Sequence, residues 1–234
     1  MDRTQISRFF LVIPPGLESL ALEELQVKSR LLAEDSSLDY SGVNLQQAEV
    51  VSGGIELNLA LKEGWILNNY LRIPTRILQR LERFRCRDYS QIKKKVSRWP
   101  WYQYLRDGEI RVHVSSHNSR LNMKKRLVSS VVEGIGEAKK RQAFRKPHLE
   151  IPQNIYIRIE ADQATLSLDT SGEFLFRRGY KEYVTKAPMR ETLASALYWL
   201  ASAGQKVEPM ALQFSIPCVD LELFAWNRFY FGKP

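Results

Sequence analysis

The sequence predicts an α+β protein built as two successive domains, and three observations carry that prediction. Residues 9–84 alternate short apolar strands with two amphipathic segments in the order β-α-β-β-α-β, the pattern of a ferredoxin-like unit. From residue 88 the pattern restarts with a helical segment and closes near residue 168 on two alternating strands joined by a tight turn. At 44% hydrophobic and 26% charged residues, the 234-residue chain has a globular composition and length enough for two buried cores.

Each element has its own justification. Phe9-Phe-Leu-Val-Ile13 is a short apolar strand closed by Pro14-Pro15-Gly16. Leu17, Leu20, Ala21 and Leu25 then follow helical spacing, which predicts an amphipathic helix over 17–30. Ser36 to Gln47 reads as a turn-rich connection with room for one strand. Glu49-Val-Val51 and Ile55-Glu-Leu-Asn-Leu59 flank Gly53-Gly54 and predict a hairpin. Ala60 to Arg72 is a helix that stops before Pro74, because proline drives its predecessor out of the helical region. Arg76 to Phe84 fits strand or helix, and strand is chosen because it completes the β-α-β-β-α-β unit.

In the second domain, Tyr89 to Tyr104 predicts a helix interrupted around Pro100, with Ile92, Val96, Trp99 and Tyr102 as its apolar stripe. Glu109 to Val114 alternates as a strand. Asn122 to Phe144 reads as a long helix with basic residues at both ends. Ile155 to Ile159 and Ala164 to Leu168 pair across an Asp162-Gln163 turn. A further turn at Ser171-Gly172 leads into a basic aromatic linker. Pro188 then opens a last helix from Met189 to Ala203, where its missing N–H costs nothing, and Gly204 ends it.

The charge is segregated. Net charge is +9, but residues 70–150 alone hold 21 Lys and Arg against 7 Asp and Glu, while the remainder holds 14 against 19. A localised positive field of this kind suits a polyanion, because phosphate contacts release counterions. A solvated basic surface with no dedicated partner is the competing reading. No apolar run approaches the roughly 20 residues of a membrane span, and the N-terminus lacks a secretory pattern. Two cysteines, Cys86 and Cys218, are too few for a disulfide scaffold or a cysteine-rich metal site. The expected compartment is a reducing cytoplasm, with no membrane partner.

Several stretches, taken in order, resemble the N-terminal ferredoxin-like domain and THUMP domain of bacterial large-subunit rRNA guanine methyltransferases. They are Pro15-Gly-Leu-Glu-Ser-Leu-Ala-Leu-Glu-Glu-Leu25, Gly53-Gly-Ile55, Arg72 to Leu78, Arg178-Gly-Tyr180 and Ala187-Pro-Met-Arg-Glu-Thr-Leu193. The likeness covers roughly residues 9–204. It implies a ferredoxin-like domain at 1–87 and a THUMP RNA-binding domain at 88–180, with structured RNA, large-subunit rRNA above all, as the partner. In that family a Rossmann-like domain follows and uses S-adenosylmethionine to methylate the exocyclic amine of a guanine. Here 181–214 is expected to be a linker helix and the start of that domain. Neither its Asp-Pro-x-Cys-Gly-Ser-Gly-Thr loop nor its Asn-Pro-Pro-Tyr loop can be read in this chain.

The last twenty residues suggest a reason. Phe214-Ser-Ile-Pro-Cys-Val-Asp-Leu-Glu-Leu-Phe-Ala-Trp-Asn227 can be encoded so that the frame beginning at the third base reads Leu-Asp-Pro-Leu-Cys-Gly-Ser-Gly-Thr-Phe-Cys-Leu-Glu. Ser215 to Pro234 is therefore expected to be an out-of-frame tail, which the nucleotide sequence decides. No cofactor is expected in this chain, S-adenosylmethionine belonging to its full-length relatives. The alternatives are a methyltransferase subunit working with a separately encoded catalytic half, a DNA-associated relative, and a decayed product.

The candidate RNA-binding residues are Arg120, Lys124, Lys125 and Arg126, then Lys139, Lys140, Arg141, Arg145 and Lys146, then Arg177 and Arg178. Lys124 to Arg126 are expected in the first turn of the long helix, where cations oppose the helix dipole. Free N–H groups at that same end are phosphate ligands. Solvated helix ends are the plain alternative. Arg177 and Arg178 are expected either to touch RNA or to position a catalytic domain. Trp99, Trp101, Tyr102 and Tyr104 fit base stacking, but helical spacing makes a core role the preferred reading. His113, His117 and His148 form no ligand set, Asp169 and Glu173 no acid–base pair, and Ser129-Ser130 no nucleophile site. Cys86 reads as a small buried hydrophobe.

Overall fold

The computed structural model describes residues 5–36, 38, 40–142, 145–177 and 189–202, with the side chains of 145–149 left aside. The linker at 181–188 and the tail at 215–234 lie outside the described residues. The described elements are β1 (Ile6–Val12), α1 (Glu18–Glu34), β2 (Glu49–Val51), β3 (Gly54–Ala60), α2 (Leu61–Tyr70), β4 (Arg76–Arg85), α3 (Tyr89–Arg98), β5 (Arg106–His117), α4 (Lys124–Arg141), β6 (Arg145–Glu160), β7 (Gln163–Asp169) and α5 (Glu191–Ser202). The strands form one mixed sheet in the order β2-β3-β1-β4-β7-β6-β5. Its first four strands have the spatial order of a ferredoxin-like β-α-β-β-α-β unit, so the fold is α+β, and Arg76–Arg85 is a strand as expected.

By contacts the chain divides into two compact units. Among the described residues, one comprises those up to Phe10, Asn58–Gly64 and Ile77–Gly172; the other comprises those within Leu11–Leu57, Trp65–Arg76 and from Glu173 on. In the second unit, carboxylates of α1 hold the connections. Glu18 accepts from the N–H groups of Gly16 (2.7 Å) and Gly53 (2.9 Å), and these bonds, Gly53 first, hold its pKa below the usual range. Gly53 takes φ 83° in the hairpin turn, a conformation that glycine adopts without strain. Glu24 is fully buried and accepts from Arg72 (2.8 Å) and Ile73 (2.9 Å), tying α1 to the segment before Pro74. The connection before β2 contains a 3-10 turn at Leu45–Gln47 and, among the described residues, no strand.

The core of the first unit lies between the sheet and the pair α3/α4. Ile92 and Val96 of α3, with Leu127, Val131 and Ile135 of α4, pack against Ile155, Ile157, Ile159 and Leu166. The helices approach closely at Gly134, where a Cβ would lie 2.8 Å from the Lys93 carbonyl oxygen. Trp101 is fully buried in the 3-10 turn after α3, and its indole N–H donates to the Val96 carbonyl at 2.7 Å. Burial rules Trp101 out of base stacking. Trp99 and Tyr104 are half-buried against each other, and Tyr102 is exposed.

Three boundaries differ from the sequence reading for local reasons. The long helix runs from Lys124 to Arg141, with Gln142 as its cap, rather than from Asn122 to Phe144, and β6 opens at Arg145 rather than Ile155. β5 runs for twelve residues rather than six and pairs parallel with β6, with irregular register at its first residues. The β6–β7 turn is Ala161-Asp162, with φ 46° and 61° as a mirror-image hairpin turn requires, and Gln163 already pairs with Glu160. Alanine seldom adopts that conformation, so the shift by one residue was not readable locally. Cys86 is buried as expected, and desolvation pushes its thiol up to about 11. Ser171 and Thr170 lock onto β4: the Ser171 hydroxyl accepts from Ile77 N–H (2.8 Å), while the Thr170 hydroxyl donates to the Ile77 carbonyl (2.7 Å).

Candidate nucleic-acid interface

The first turn of α4 presents Lys124, Lys125 and Arg126, all exposed, with no acidic residue in that turn. None of the three forms an ion pair among the described residues. The preceding residue, Met123, offers no side-chain cap, and its backbone N–H instead donates to the Tyr89 hydroxyl at 3.3 Å. The Arg126 guanidinium lies over the Tyr89 ring, 4.5 Å from its centroid, which holds a flexible cation in place. Between the starts of α3 and α4, Tyr89, Lys125 and Arg126 line a cleft of about 470 Å³ with Ser90, Ser129, Ser130, Lys93 and Glu133, Lys124 lying outside it. Lys93 binds both Glu133 and Glu137 at 3.0 Å, which raises its pKa and neutralises the nearest acids. The result is a polar cleft whose mobile charges are cationic, beside backbone N–H groups at a helix start. Such an arrangement accepts phosphate.

Arg120 lies just before this turn and is exposed. Its backbone N–H donates to Asp162 (3.3 Å), and the Ser119 hydroxyl donates to the same carboxylate (2.8 Å). The Ser119 bond is the main reason the Asp162 pKa is lowered. Three residues of chain separate Arg120 from Lys124 at the start of α4. The other basic cluster lies apart. Lys139 to Arg141 sit at the opposite end of α4, about 23 Å away at 1.5 Å per residue. Lys139 is ion-paired with Asp107, and the Arg141 guanidinium donates to the carbonyls of Ser97 (2.8 Å) and Glu137 (3.3 Å). Lys140 is exposed. Arg145 and Lys146 are placed only by their backbone, at the start of β6. Arg177, in the other unit, is exposed beside Glu173 (3.7 Å) and Phe174, and Arg178 lies outside the described residues.

Tyr89 was missed as a site residue. Its hydroxyl meets a backbone N–H thirty-four residues away, and local periodicity carries no trace of that contact. Among the described residues no group of His, Cys, Asp and Glu could hold a metal ion, and no helix is long and apolar enough to cross a membrane.

An α+β chain with this cationic helix start has relatives among methyltransferases. It is similar in fold to a predicted N6-adenine-specific DNA methylase from Listeria monocytogenes (TM-score 0.67, 24% identity, 84% of this chain and 48% of that one). It is likewise similar to TrmN from Thermus thermophilus (TM-score 0.62, 21% identity, 85% of this chain and 55% of that one). In sequence it is similar to ribosomal RNA large subunit methyltransferase K/L. The protein of that name from Syntrophotalea carbinolica is 25% identical over 214 residues, covering 87% of this chain, and that from Methylococcus capsulatus is 28% identical over 213 residues, covering 86%. The chain spans 28% and 27% of the length of these two relatives. No family model matches it.

Proposed function

We propose that this chain is the RNA-recognition part of a large-subunit rRNA methyltransferase relative. In this reading residues 1–87 act as a ferredoxin-like domain and 88–180 as a THUMP domain. Methyl transfer from S-adenosylmethionine to guanine is assigned to the part of the relatives beyond this chain. The observation that carries the reading is the exposed triad Lys124, Lys125 and Arg126 around the free N–H groups of α4. Cations there oppose the helix dipole at some cost in stability, and a bound phosphate reverses that cost. Recognition by such a site reads RNA shape and backbone more than base identity. Arg120 extends the same surface, whereas Lys139 and Arg141 have intramolecular partners and Lys140 stands apart.

The test is a salt titration of binding to a structured rRNA hairpin and to a DNA hairpin of the same sequence. The RNA preference should survive about 150 mM salt, where exposed charges beyond a Debye length are screened. Replacing Lys124, Lys125 and Arg126 together by alanine should weaken RNA binding by at least about tenfold and flatten the salt slope by roughly 2–3 units. Equal, salt-erased binding to both hairpins would reject the reading.

A second reading, association with a separately encoded catalytic half, draws on α5. Leu193, Leu197 and Leu200 recur at helical spacing and remain 44%, 46% and 58% exposed. A contiguous apolar stripe of this kind marks a contact surface. Replacing all three by serine should abolish capture of a relative's methyltransferase half while leaving RNA binding intact. Capture that survives the change would dismiss this second reading.

A further inference from the structure

The face of the first unit's sheet turned away from α3 and α4 carries an organised row of polar and aromatic side chains. Strand pleating sets it. Ile155, Ile157 and Ile159 enter the core, so Tyr156 and Arg158 point to the opposite face. The register then aligns His113 with Tyr156, Tyr156 with Ser167, and Ser167 with Arg80, one row across four strands. The next row contains Ser115, Arg158, Thr165 and Arg83.

Within the first row His113 and Tyr156 stack, with ring centroids 4.6 Å apart and planes 15° from parallel. The Asn154 amide oxygen holds the imidazole by accepting a hydrogen bond from its Nε2–H at 2.9 Å. His113 lies on the edge strand β5 and is exposed, so one end of the two-ring stack meets solvent. Two residues along the strands, the Arg158 side chain is 43% exposed and bonded at 3.1 Å to Glu160, an exposed pair that is cheap to open. Arg83 is exposed in the same row.

We infer that this sheet binds a single-stranded RNA segment at its β5 edge, one base extending the His113–Tyr156 stack beyond His113 while Arg158, on the neighbouring strand, takes a flanking phosphate. The occupant follows from the pairing of features. A flat ring stack answers the π-face that every base shares, and the Arg158 guanidinium, one strand in from His113, answers the backbone charge. The inference deepens the reading of this chain as an RNA-recognition part and rests on it for the choice of RNA. It adds a second surface for an unpaired segment, separate from the helix start that would grip folded RNA.

The experiment uses three probes with the full chain: a blunt RNA hairpin, the same hairpin with a single-stranded tail of about six nucleotides, and that tail alone. The tail should tighten hairpin binding about tenfold, the scale of one base–aromatic stack. His113→Ala and Arg158→Ala should each remove that gain and leave the blunt hairpin unaffected, while His113→Phe, which keeps a ring, should retain it. Because His113 and Arg158 are exposed, loss of folding does not explain such a pattern. A tail that adds nothing, or a gain that survives His113→Ala, overturns the inference. Failure of the proposed function is distinguishable. There the blunt hairpin goes unbound, whereas the tail alone still binds and still depends on His113.

Discussion

Trp101→Ala is expected to lower the stability of the chain by about 3–5 kcal/mol. Trp101 is fully buried in the core shared by α3, α4 and the sheet, and it immediately follows the Trp99-Pro100 corner that ends α3. Truncation removes the largest side chain of that core and leaves a cavity that neighbouring isoleucines and leucines cannot refill without moving a helix. The hydrogen bond matters less. Val96 carbonyl also accepts from Trp99 N–H at 3.3 Å, so losing the indole donor does not orphan it. Trp101→Phe should therefore cost only about 1–2 kcal/mol, the lost volume and one hydrogen bond. Urea denaturation followed by circular dichroism separates the two. Equal, small losses for both variants would mean that Trp101 is not a core anchor.

Glu24→Ala carries the second large effect, about 2–4 kcal/mol, because it strands the buried N–H groups of Arg72 and Ile73 and empties the space beneath them. The sign of its pH dependence can be worked out. Burial outweighs the two hydrogen bonds and raises the Glu24 pKa above its ordinary value, while Lys28 nearby is pushed down by burial as well. A carboxyl whose folded pKa is raised contributes stability that is full below the unfolded pKa and declines as pH rises through the folded one. The deficit of Glu24→Ala is thus expected to be widest in acid and to narrow toward and through neutral pH. Glu24→Gln keeps an acceptor without the charge and should sit between alanine and the parent chain. Denaturation midpoints at several pH values give the readout. A deficit that widens with pH would mean that the carboxylate is a net stabiliser in its ionised form.

Much of the fold was legible because its local chemistry is strong. The Gly53-Gly54 hairpin, the stop before Pro74 and the alternation of Ile155 to Leu168 are each dictated within a few residues. The core role expected for the four aromatics holds for Trp101 but not for Tyr102, which the helical stripe had placed inside and which is exposed. Of the stretches that stood out in the sequence, Gly16-Leu17-Glu18 and Gly53-Gly54 are joined through the Glu18 carboxylate, and Glu24 separately holds the backbone of Arg72 and Ile73. They mark architecture rather than chemistry. Other features were illegible for an equally physical reason. The turn at Ala161-Asp162 is imposed by pairing of β6 with β7, against the preference of alanine. The start of β6 at Arg145 is imposed by its parallel partner β5.

The candidate site divides along the same line. Composition and order alone established that residues 70–150 concentrate the positive charge and that Lys124 to Arg126 fall at a helix start, because charge and helical periodicity are written residue by residue. Which cations remain available was decided by the tertiary structure. Lys139 and Arg141 look like Lys124 and Lys125 in the sequence, yet an aspartate thirty-two residues back and a carbonyl forty-four residues back engage them. Tyr89 beneath Arg126, and His113 stacked on Tyr156, likewise exist only because separate elements were brought together. Charge is a property of single residues and survives in any order of folding, whereas the partner of a charge is a distance, and distances between remote residues arise only from packing.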